Sequence, residues 1–557
     1  MGATEDLAKT STKAGFNFFW GLVLSTVISS AGTIYISKFL GESGYALYGI
    51  ALTVPNILFI FRDWGIGTAI TRYTAKYRAE NRKAEIKSIF LSGLLFELIM
   101  GVALSIVAFL LSDYLANDYF QRPVATLIKI ASLTILTGGI VNAATAIFTG
   151  IEETTYNSIM IIFQSITKTL LTIGLVITSF GVTGAIAGIT AGYIIACIVG
   201  LIFIIIVYRK LPKTPNYTIN IKKYLKIMLK YCAPLSIAGM LTALLAQFYT
   251  FFLARVYIDD VLIGNYAAAQ NFVVLIGFFA LPITSVLLPA FSKLDIKKDK
   301  TELQNIYQAA IKYSTLIIIP VVMIVLSLST QAITTLYQDS YTLTPIFLTI
   351  LSISYLLTAV GNLNFTNILN SQKQTKLNLK LSIITTIIGF SLGYILITYY
   401  NVYGLVITSL IAPIPSVIIS IIWLKKHYEL TTNWLFSAKI LITATITAIP
   451  TYLFINSLHL NNFTLLQNTI NQVNILNTIS NYITIGSAIE LTIGTIFYII
   501  TFIGLITITK TLTKRDIHNL RQMTTNLGPV TKIIHLALNT IEKTMTKLKT
   551  NKQLTNT

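Results

Sequence analysis

Five charged side chains stand inside apolar runs of this chain: Arg62, Asp63, Glu97, Lys129 and Lys168. At the centre of a bilayer each would cost roughly 2.5–3.5 kcal/mol, so each must face protein or water. Lys168 lies mid-run and could bind a phosphate; it could equally close an ion pair with Glu97 or Asp63. Gln164 sits one helical turn earlier on the same face, as a sugar or phosphate donor or as an interhelical hydrogen bond. Lys129 is nearer the end of its run, within reach of a lipid headgroup. Asp63 and Glu97 could take up a coupling H+ or Na+. Arg62 and Asp63 are adjacent and point in different directions on a helix, so Asp63 can instead brace a gate through Arg72. Amides complete the set: Asn142, Gln247, Gln270 and Asn364, with Asn367 beside it. These groups suit gripping and passing on a polar ligand. Signatures of catalysis are missing, with no Gly-rich phosphate loop, no HExxH and no convincing nucleophile motif. Two cysteines, Cys197 and Cys232, make neither a disulfide framework nor a metal-spaced cluster, and no cofactor is expected.

The elements that position these residues are membrane spans. The chain has 557 residues, 54% hydrophobic and only 11% charged, with a mean hydropathy of +0.72; a soluble domain carries about 25% charged residues. The net charge of +20 is spread in short Lys/Arg blocks between apolar runs. That is the positive-inside pattern, with anionic lipids as partners, and it argues against nucleic acid. The sequence predicts fourteen spans, at 16–39, 46–70, 88–112, 124–149, 157–179, 182–207, 232–256, 262–289, 312–336, 343–369, 378–400, 404–424, 437–457 and 484–509. Most loops after even-numbered spans are basic, from Arg72 to Lys87 and again between 208 and 231, while the opposite loops are short and hold Asp113, Asp118, Asp259, Asp260 and Asp339, with Arg122 as the exception. Both termini are therefore expected in the cytoplasm of a cell whose plasma membrane the chain crosses. The predicted external loop 458–483 holds the sequon Asn462-Phe463-Thr464, and Pro55, Pro234, Pro282, Pro289 and Pro320 are expected to mark kinks.

The chain also repeats itself. Tyr48 matches Tyr266, the Tyr119–Pro123 opening matches Tyr341–Pro345, Asn142 matches Asn364, and Phe180-Gly181-Val182-Thr183-Gly184 matches Tyr400-Asn401-Val402-Tyr403-Gly404. The offsets agree at about 220 residues. Six spans is an even number, so the halves are parallel repeats related by an axis along the membrane normal. This divides the chain into a first lobe at 1–207, a basic linker at 208–231, a second lobe at 232–424, two extra spans within 425–509, and a tail at 510–557. In the tail, Ile534, Leu538, Ile541, Met545 and Leu548 recur at helical spacing among Lys532, Lys543, Lys547 and Lys549, as in a basic amphipathic helix lying on the inner leaflet.

The Lys38-Phe39-Leu40-Gly41 turn, Tyr48, Asp63-Trp64-Gly65, Arg72-Tyr73 and the Gly-Val-x-Gly opening of span 6 resemble the polysaccharide and lipid-linked oligosaccharide flippases. These belong to the multidrug/oligosaccharidyl-lipid/polysaccharide exporter superfamily. Lys38 and Ala46 depart from the common Arg and Gly. The resemblance implies an all-α, V-shaped, two-lobe transporter. Its function would be to flip a polyprenyl or dolichyl (pyro)phosphate-linked oligosaccharide to the outer leaflet by alternating access, driven by H+, Na+ or the membrane potential. It would not be an enzyme. Lys168, Gln164, Lys129, Asn142, Gln247, Gln270 and Asn364 are the candidates for substrate contact, and Arg62, Asp63, Glu97 and Arg72 for gating or ion coupling. A cation-coupled drug antiporter of the same superfamily is the nearest alternative. A membrane glycosyltransferase is the other, through a faint likeness of Tyr257-Ile258-Asp259-Asp260 to an acidic external loop.

Overall fold

The computed structural model describes residues 2–211, 220–257, 259–279, 291, 299–372, 374–458, 484–509, 511–513, 516–518, 520–521, 535–536, 538–539 and 542–543, with side chains from Leu24 onward apart from 233–235 and 278. The sequon, Pro282, Pro289 and most of the predicted tail helix lie outside these residues. The described residues are helical, and they form two compact units: 1–271 with 375–416, and 272–374 with 417–557. This division follows packing, whereas the two six-span halves are a reading of sequence repetition.

The first unit contains α1 (Gly2–Arg62), α2 (Ile66–Ala79), α3 (Lys83–Tyr114), α4 (Ala125–Gly150), α5 (Thr154–Leu175), α6 (Gly181–Lys210), α7 (Ile221–Val256), most of α8 (Asp260–Phe278), and α12 (Thr375–Ile411). The second contains α9 (Lys300–Tyr337), α10 (Thr344–Ile353), α11 (Asn362–Ser371), α14 (Trp434–Leu458) and α15 (Ile485–Ile508), with α13 (Ile414–Tyr428) crossing the boundary. Two expected loops are helix. The basic run from Arg72 is the second half of α2, a short turn at 80–82 and the start of α3, and residues 221–231 of the expected linker are the first turns of α7. The charged residues there give each helix a solvated polar end without breaking its ladder.

Nine helical stretches among the described residues are long and apolar enough to cross a membrane, or ten if the bent pair Thr344–Val360 and Asn362–Ser371 is one span. Three are too long for a single crossing of a roughly 30 Å core, which takes about 20 residues: α1 has 61 residues, Thr154–Lys210 has 57 and Thr375–Tyr428 has 54. Each contains a backbone break, at Gly41, at Thr178-Ser179 and at Asn401 respectively. Span 8 (262–289) runs beyond the described residues, so fourteen remains the expectation of the sequence rather than a count. The prolines expected to kink α1 and α9 do not coincide with these departures: Pro55 lies within regular helix, and α9 departs from helical geometry at Leu328, eight residues after Pro320.

The breaks carry the repeat into the backbone. Gly181 adopts φ 51, ψ −132 and Asn401 φ 54, ψ −131. Gln121 and Tyr341 are both at positive φ, 54 and 61. Both pairs are 220 positions apart (181 to 401, 121 to 341). Glycine reaches this conformation without a Cβ penalty, which accounts for Gly181; Asn401 takes the same conformation with a side chain. The glycine three positions later has a different task. A Cβ on Gly184 would meet the Leu175 carbonyl oxygen at 2.9 Å, and one on Gly404 would strike the Leu396 carbonyl. The chain therefore doubles back tightly after both breaks. Gly188 against Thr172, Gly192 against Lys168 and Gly200 against Met160 continue the antiparallel contact of α5 and α6.

Elsewhere in the first unit α12 lies on α7, with Phe248 and Phe390 rings 4.3 Å apart and Gly393 on Tyr249. Arg122 ties together several turns: Nε donates to Asp260 at 2.6 Å, Nη2 to the Tyr257 carbonyl at 2.8 Å, and Nη1 to the carbonyls of Ala254 and Phe120. In the second unit the two spans outside the repeat pack on α9. Gly494 seats Leu328 and Ile455, and Tyr498 donates to the Ala444 carbonyl. Of the tail, Asp516 accepts from Thr513 and pairs with Lys312 of α9 at 2.7 Å, while Lys312 also lies over the Phe436 ring. Burial works against the Asp516 carboxylate, but hydrogen bonds from Lys312 and Thr513 outweigh it and hold the group below its ordinary pKa of 3.8.

Two outcomes follow. Gly184→Val and Gly404→Val each lower the apparent Tm of detergent-purified protein, by overpacking that costs about 1–3 kcal/mol. Gly174→Ala, where an added Cβ meets nothing within 4 Å, leaves Tm unchanged or slightly raised. The second outcome concerns pH. A depressed carboxylate stabilises its docked state above its unfolded pKa, and that contribution is lost as pH falls through the folded value. Hydrogen exchange in 511–521, corrected for intrinsic rate, therefore rises below about pH 4 in wild type. In Asp516→Asn it is high throughout and shows no such step.

Candidate functional site: a buried ion pair and a polar cavity in the first unit

α1 stops at Arg62, and Gly65, with φ 74, turns the chain into α2. The break is clasped from α7: Ser236 Oγ donates to the Trp64 carbonyl at 2.9 Å, and the Cys232 thiol to that of Gly65 at 2.9 Å. The turn sends Arg62 inward. Its Nε lies 3.0 Å from Glu97 Oε2, with both side chains 0% exposed. Nη1 donates to the Ile135 carbonyl at 2.7 Å, and the guanidinium stacks on Phe59, 3.7 Å from the ring centroid. Glu97 Oε1 accepts from Asn142 Nδ2 at 3.0 Å. Small residues make the space: a Cβ on Gly139 would come within 3.0 Å of Glu97 Oε2, and one on Gly138 within 3.3 Å of Arg62 Nη1. A charge pair in hydrocarbon is tolerable when each member is matched; α3 supplies the counter-charge and α4 a hydrogen bond to each member, while Arg62 Nη2 is buried without a hydrogen-bond partner among the described residues.

Asp63 points elsewhere, as adjacency on a helix requires. It is half-buried, its Oδ1 accepts the Gly65 N–H at 3.0 Å, and it lines a cavity of about 430 Å³ with Arg72 and Asn142. The expected brace from Asp63 to Arg72 is not made: no ion pair joins them among the described residues. Arg72 instead lies over the Tyr231 ring, 4.1 Å from its centroid. The remaining walls are Gly67, Ala146 and threonines of α2 and α4, among them Thr71, Thr145 and Thr149. The sequence reading missed these. Their signal was the spacing of Asn142, Thr145 and Thr149, which puts three polar side chains on one face of α4.

Lys168 is half-buried at mid-α5, where the α6 backbone presses on it at Gly192. It has no carboxylate within ion-pair distance among the described residues. Neither proposed pairing, with Glu97 or with Asp63, is formed, because Arg62 occupies Glu97. Gln164 is half-buried one turn away, its carbonyl packed on Gly192. The other candidates are dispersed. Lys129 pairs with Asp113 at 2.7 Å, Gln270 donates to the Tyr266 hydroxyl at 2.6 Å, and Gln247 lies half-buried on α7. Asn364 belongs to the second unit, where it is buried with Ser314 Oγ 3.5 Å from its Nδ2. Asp260 is held by Arg122, and Asp259 caps α8 through the Val261 N–H. Of the two carboxylates on which the glycosyltransferase alternative depended, Asp260 is thus paired with a cation, while Asp259 is exposed and keeps its second oxygen.

The sequence profile of the polysaccharide biosynthesis protein family matches residues 16–295, half of the chain. The chain belongs to that family. A second profile, of the MatE family, matches residues 234–395. Family and fold together make this polysaccharide biosynthesis protein a multi-pass membrane transporter of the multidrug/oligosaccharidyl-lipid/polysaccharide exporter superfamily. Among curated proteins it is 23% identical over 413 residues to an uncharacterized membrane protein of Methanocaldococcus jannaschii, MJ1068, covering 70% of this chain and 79% of that protein. Its fold is similar to that of the lipid II flippase MurJ in an inward closed conformation, with a TM-score of 0.65, 18% identity, and coverage of 87% of this chain and 97% of MurJ. It is also similar to an inward-facing multidrug resistance MATE family transporter, with a TM-score of 0.59, 19% identity, and coverage of 73% and 94%. A Pyrococcus furiosus transporter of the superfamily, described as having a binding pocket of reversed polarity, gives a TM-score of 0.53 at 18% identity over 76% of this chain and 97% of that one.

Removing one member of the buried pair strands the other, at a cost of about 3–5 kcal/mol. Glu97→Ala and Arg62→Ala are therefore each expected to abolish monodisperse folded protein, read by fluorescence-detected size exclusion. The double variant Arg62→Met with Glu97→Leu restores it, because an apolar pair of similar volume leaves no uncompensated charge.

Proposed function

We propose that this protein carries a polyprenyl or dolichyl (pyro)phosphate-linked oligosaccharide from the cytoplasmic to the outer leaflet for cell-surface glycan assembly. The observation that carries this reading is Lys168. Arg62 is matched by Glu97, and Lys129 by Asp113. Lys168 has no such partner among the described residues, in the middle of a span, within a family named for polysaccharide biosynthesis. A cation kept there without a partner is explained by a ligand that brings the counter-charge, and a lipid-linked phosphate does so. Gln164, on the same face, adds an amide donor.

The barrier to such movement is the removal of a charged, hydrated head from water. A wet polar pathway replaces that hydration, while the lipid tail stays in the bilayer. The loop charges orient both termini to the cytoplasm. With a negative interior, moving two negative charges outward is downhill by roughly 4–5 kcal/mol per 100 mV, so the membrane potential alone could bias the cycle; H+ or Na+ are the other candidate drivers. The drug-antiporter alternative needs a carboxylate free to take up a cation. Glu97 is committed to Arg62 and Asn142, which leaves that alternative resting on Asp63.

The test is a leaflet-accessibility assay with a fluorescent polyprenyl diphosphate oligosaccharide in proteoliposomes. Wild type exposes the label to the outer leaflet. Lys168→Ala slows this at least tenfold, and Lys168→Arg retains most of it. Normal flipping by Lys168→Ala, together with a dead Asp63→Asn, would overturn the reading in favour of the antiporter.

A further inference from the structure

We propose that the cavity between α2 and α4 is a receiving subsite for a glycosyl phosphate, with Arg72 holding the anion and the surrounding oxygens taking the sugar hydroxyls. The proposal rests on the transport reading above and adds a place of first contact distinct from Lys168.

Arg72 is the cation of this cavity. Its side chain is exposed, and its guanidinium is set against the Tyr231 ring at 4.1 Å. A guanidinium held against an aromatic face by cation–π attraction keeps N–H groups able to meet an oxyanion two at a time. Other arginines of the same basic run are already spent: Arg78 pairs with Glu152, and Arg82 with Glu80 and Glu85. No carboxylate lies within ion-pair distance of Arg72 among the described residues.

The rest of the wall is rich in acceptors because its protons are committed inward. Thr71 donates to the Ala146 carbonyl at 3.0 Å, Thr145 to Asn157 Oδ1 at 3.2 Å, and Thr149 to the Thr145 carbonyl at 2.7 Å. A hydroxyl that has given its proton still offers lone pairs. Asn142 has given an amide proton to Glu97, and its Oδ1 stands against Gly67, where a Cβ would come within 3.2 Å. Asp63 uses one oxygen on the Gly65 N–H and keeps the other. One cation and one carboxylate among neutral acceptors fit a ligand with several O–H donors and a single anionic group held at the Arg72 end, which is the chemistry of a sugar phosphate. Bare phosphate would meet the acceptors without donors to satisfy them. A lipophilic cation could pair with Asp63 but would leave Arg72 unmatched in the same cavity. The volume of about 430 Å³ is within the range of roughly 300–1,000 Å³ of small-molecule sites.

The buried pair gives the cavity its shape. Asn142 is held by Glu97, and Glu97 by Arg62, so the wall on α4 is set by an interaction that the ligand does not touch.

The experiment uses full-length protein in detergent and saturation-transfer NMR with maltose 1-phosphate, maltose and inorganic phosphate as probes. Wild type binds maltose 1-phosphate at least tenfold tighter than either of the others. Arg72→Gln weakens it at least tenfold. Thr68→Leu, which narrows the same cavity from an exposed position, does likewise. Lys76→Gln, one turn further along α2, changes it less than twofold. The proposal is overturned if wild type does not bind the sugar phosphate, if Arg72→Gln binds it as wild type does, or if inorganic phosphate binds as tightly. The two readings fail separately. Arg72-dependent binding by a protein that moves no lipid-linked glycan sinks the transport reading and leaves the subsite; flipping that continues unchanged in Arg72→Gln sinks the subsite and leaves the transport reading.

Discussion

Hydrocarbon does not solvate charge, and the arrangement of the first unit follows from that constraint. A helix that ends among apolar spans with an arginine needs a carboxylate on a neighbour and room for both. Arg62 has Glu97, the Ile135 carbonyl and the Phe59 face. Gly138 and Gly139 give the room, and Asn142 satisfies the second carboxylate oxygen. Once α1, α3 and α4 are tied at this point, the direction in which α2 leaves the break is set, and with it the placement of Asp63 and Arg72. The polar cavity depends on the ion pair behind it.

A second constraint acts on the backbone. Long apolar runs must be folded back to fit a bilayer, and a reversal needs a residue that accepts positive φ and a later one with no Cβ. The chain meets these needs in both halves with Gly181 and Gly184, and with Asn401 and Gly404. Sequence motifs that look degenerate as letters are thus specific as geometry: the first position tolerates Gly or Asn, and the fourth tolerates only Gly.

That difference explains what could be read in advance. Span positions followed from hydropathy, because twenty apolar residues have few other uses. The repeat followed from turn residues, because turns constrain residue type. Pairing among deep charges did not follow. Asp63, Glu97 and Lys168 are compatible partners on charge alone, and only packing shows that Arg62 takes Glu97, that Asp63 faces the cavity and that Lys168 is left over. The expected loop at Arg72–Lys87 is helix except at 80–82, because a basic sequence reads as solvated whether or not it is coiled. The threonines of the cavity passed unremarked since a hydroxyl in an apolar helix usually bonds its own backbone, as Thr149 does.

The matched asparagines carry a consequence of their own. Asn142 and Asn364 occupy equivalent places in the repeat, yet one faces a carboxylate and the other a serine hydroxyl. The repeated stretches share their turn geometry and differ at this position. A chain built from two copies of the first half would carry two internal ion pairs and two cationic grooves; one built from two copies of the second would set only a neutral hydroxyl against each asparagine. The asymmetry between the two positions is thus chemical, written in one partner of one amide.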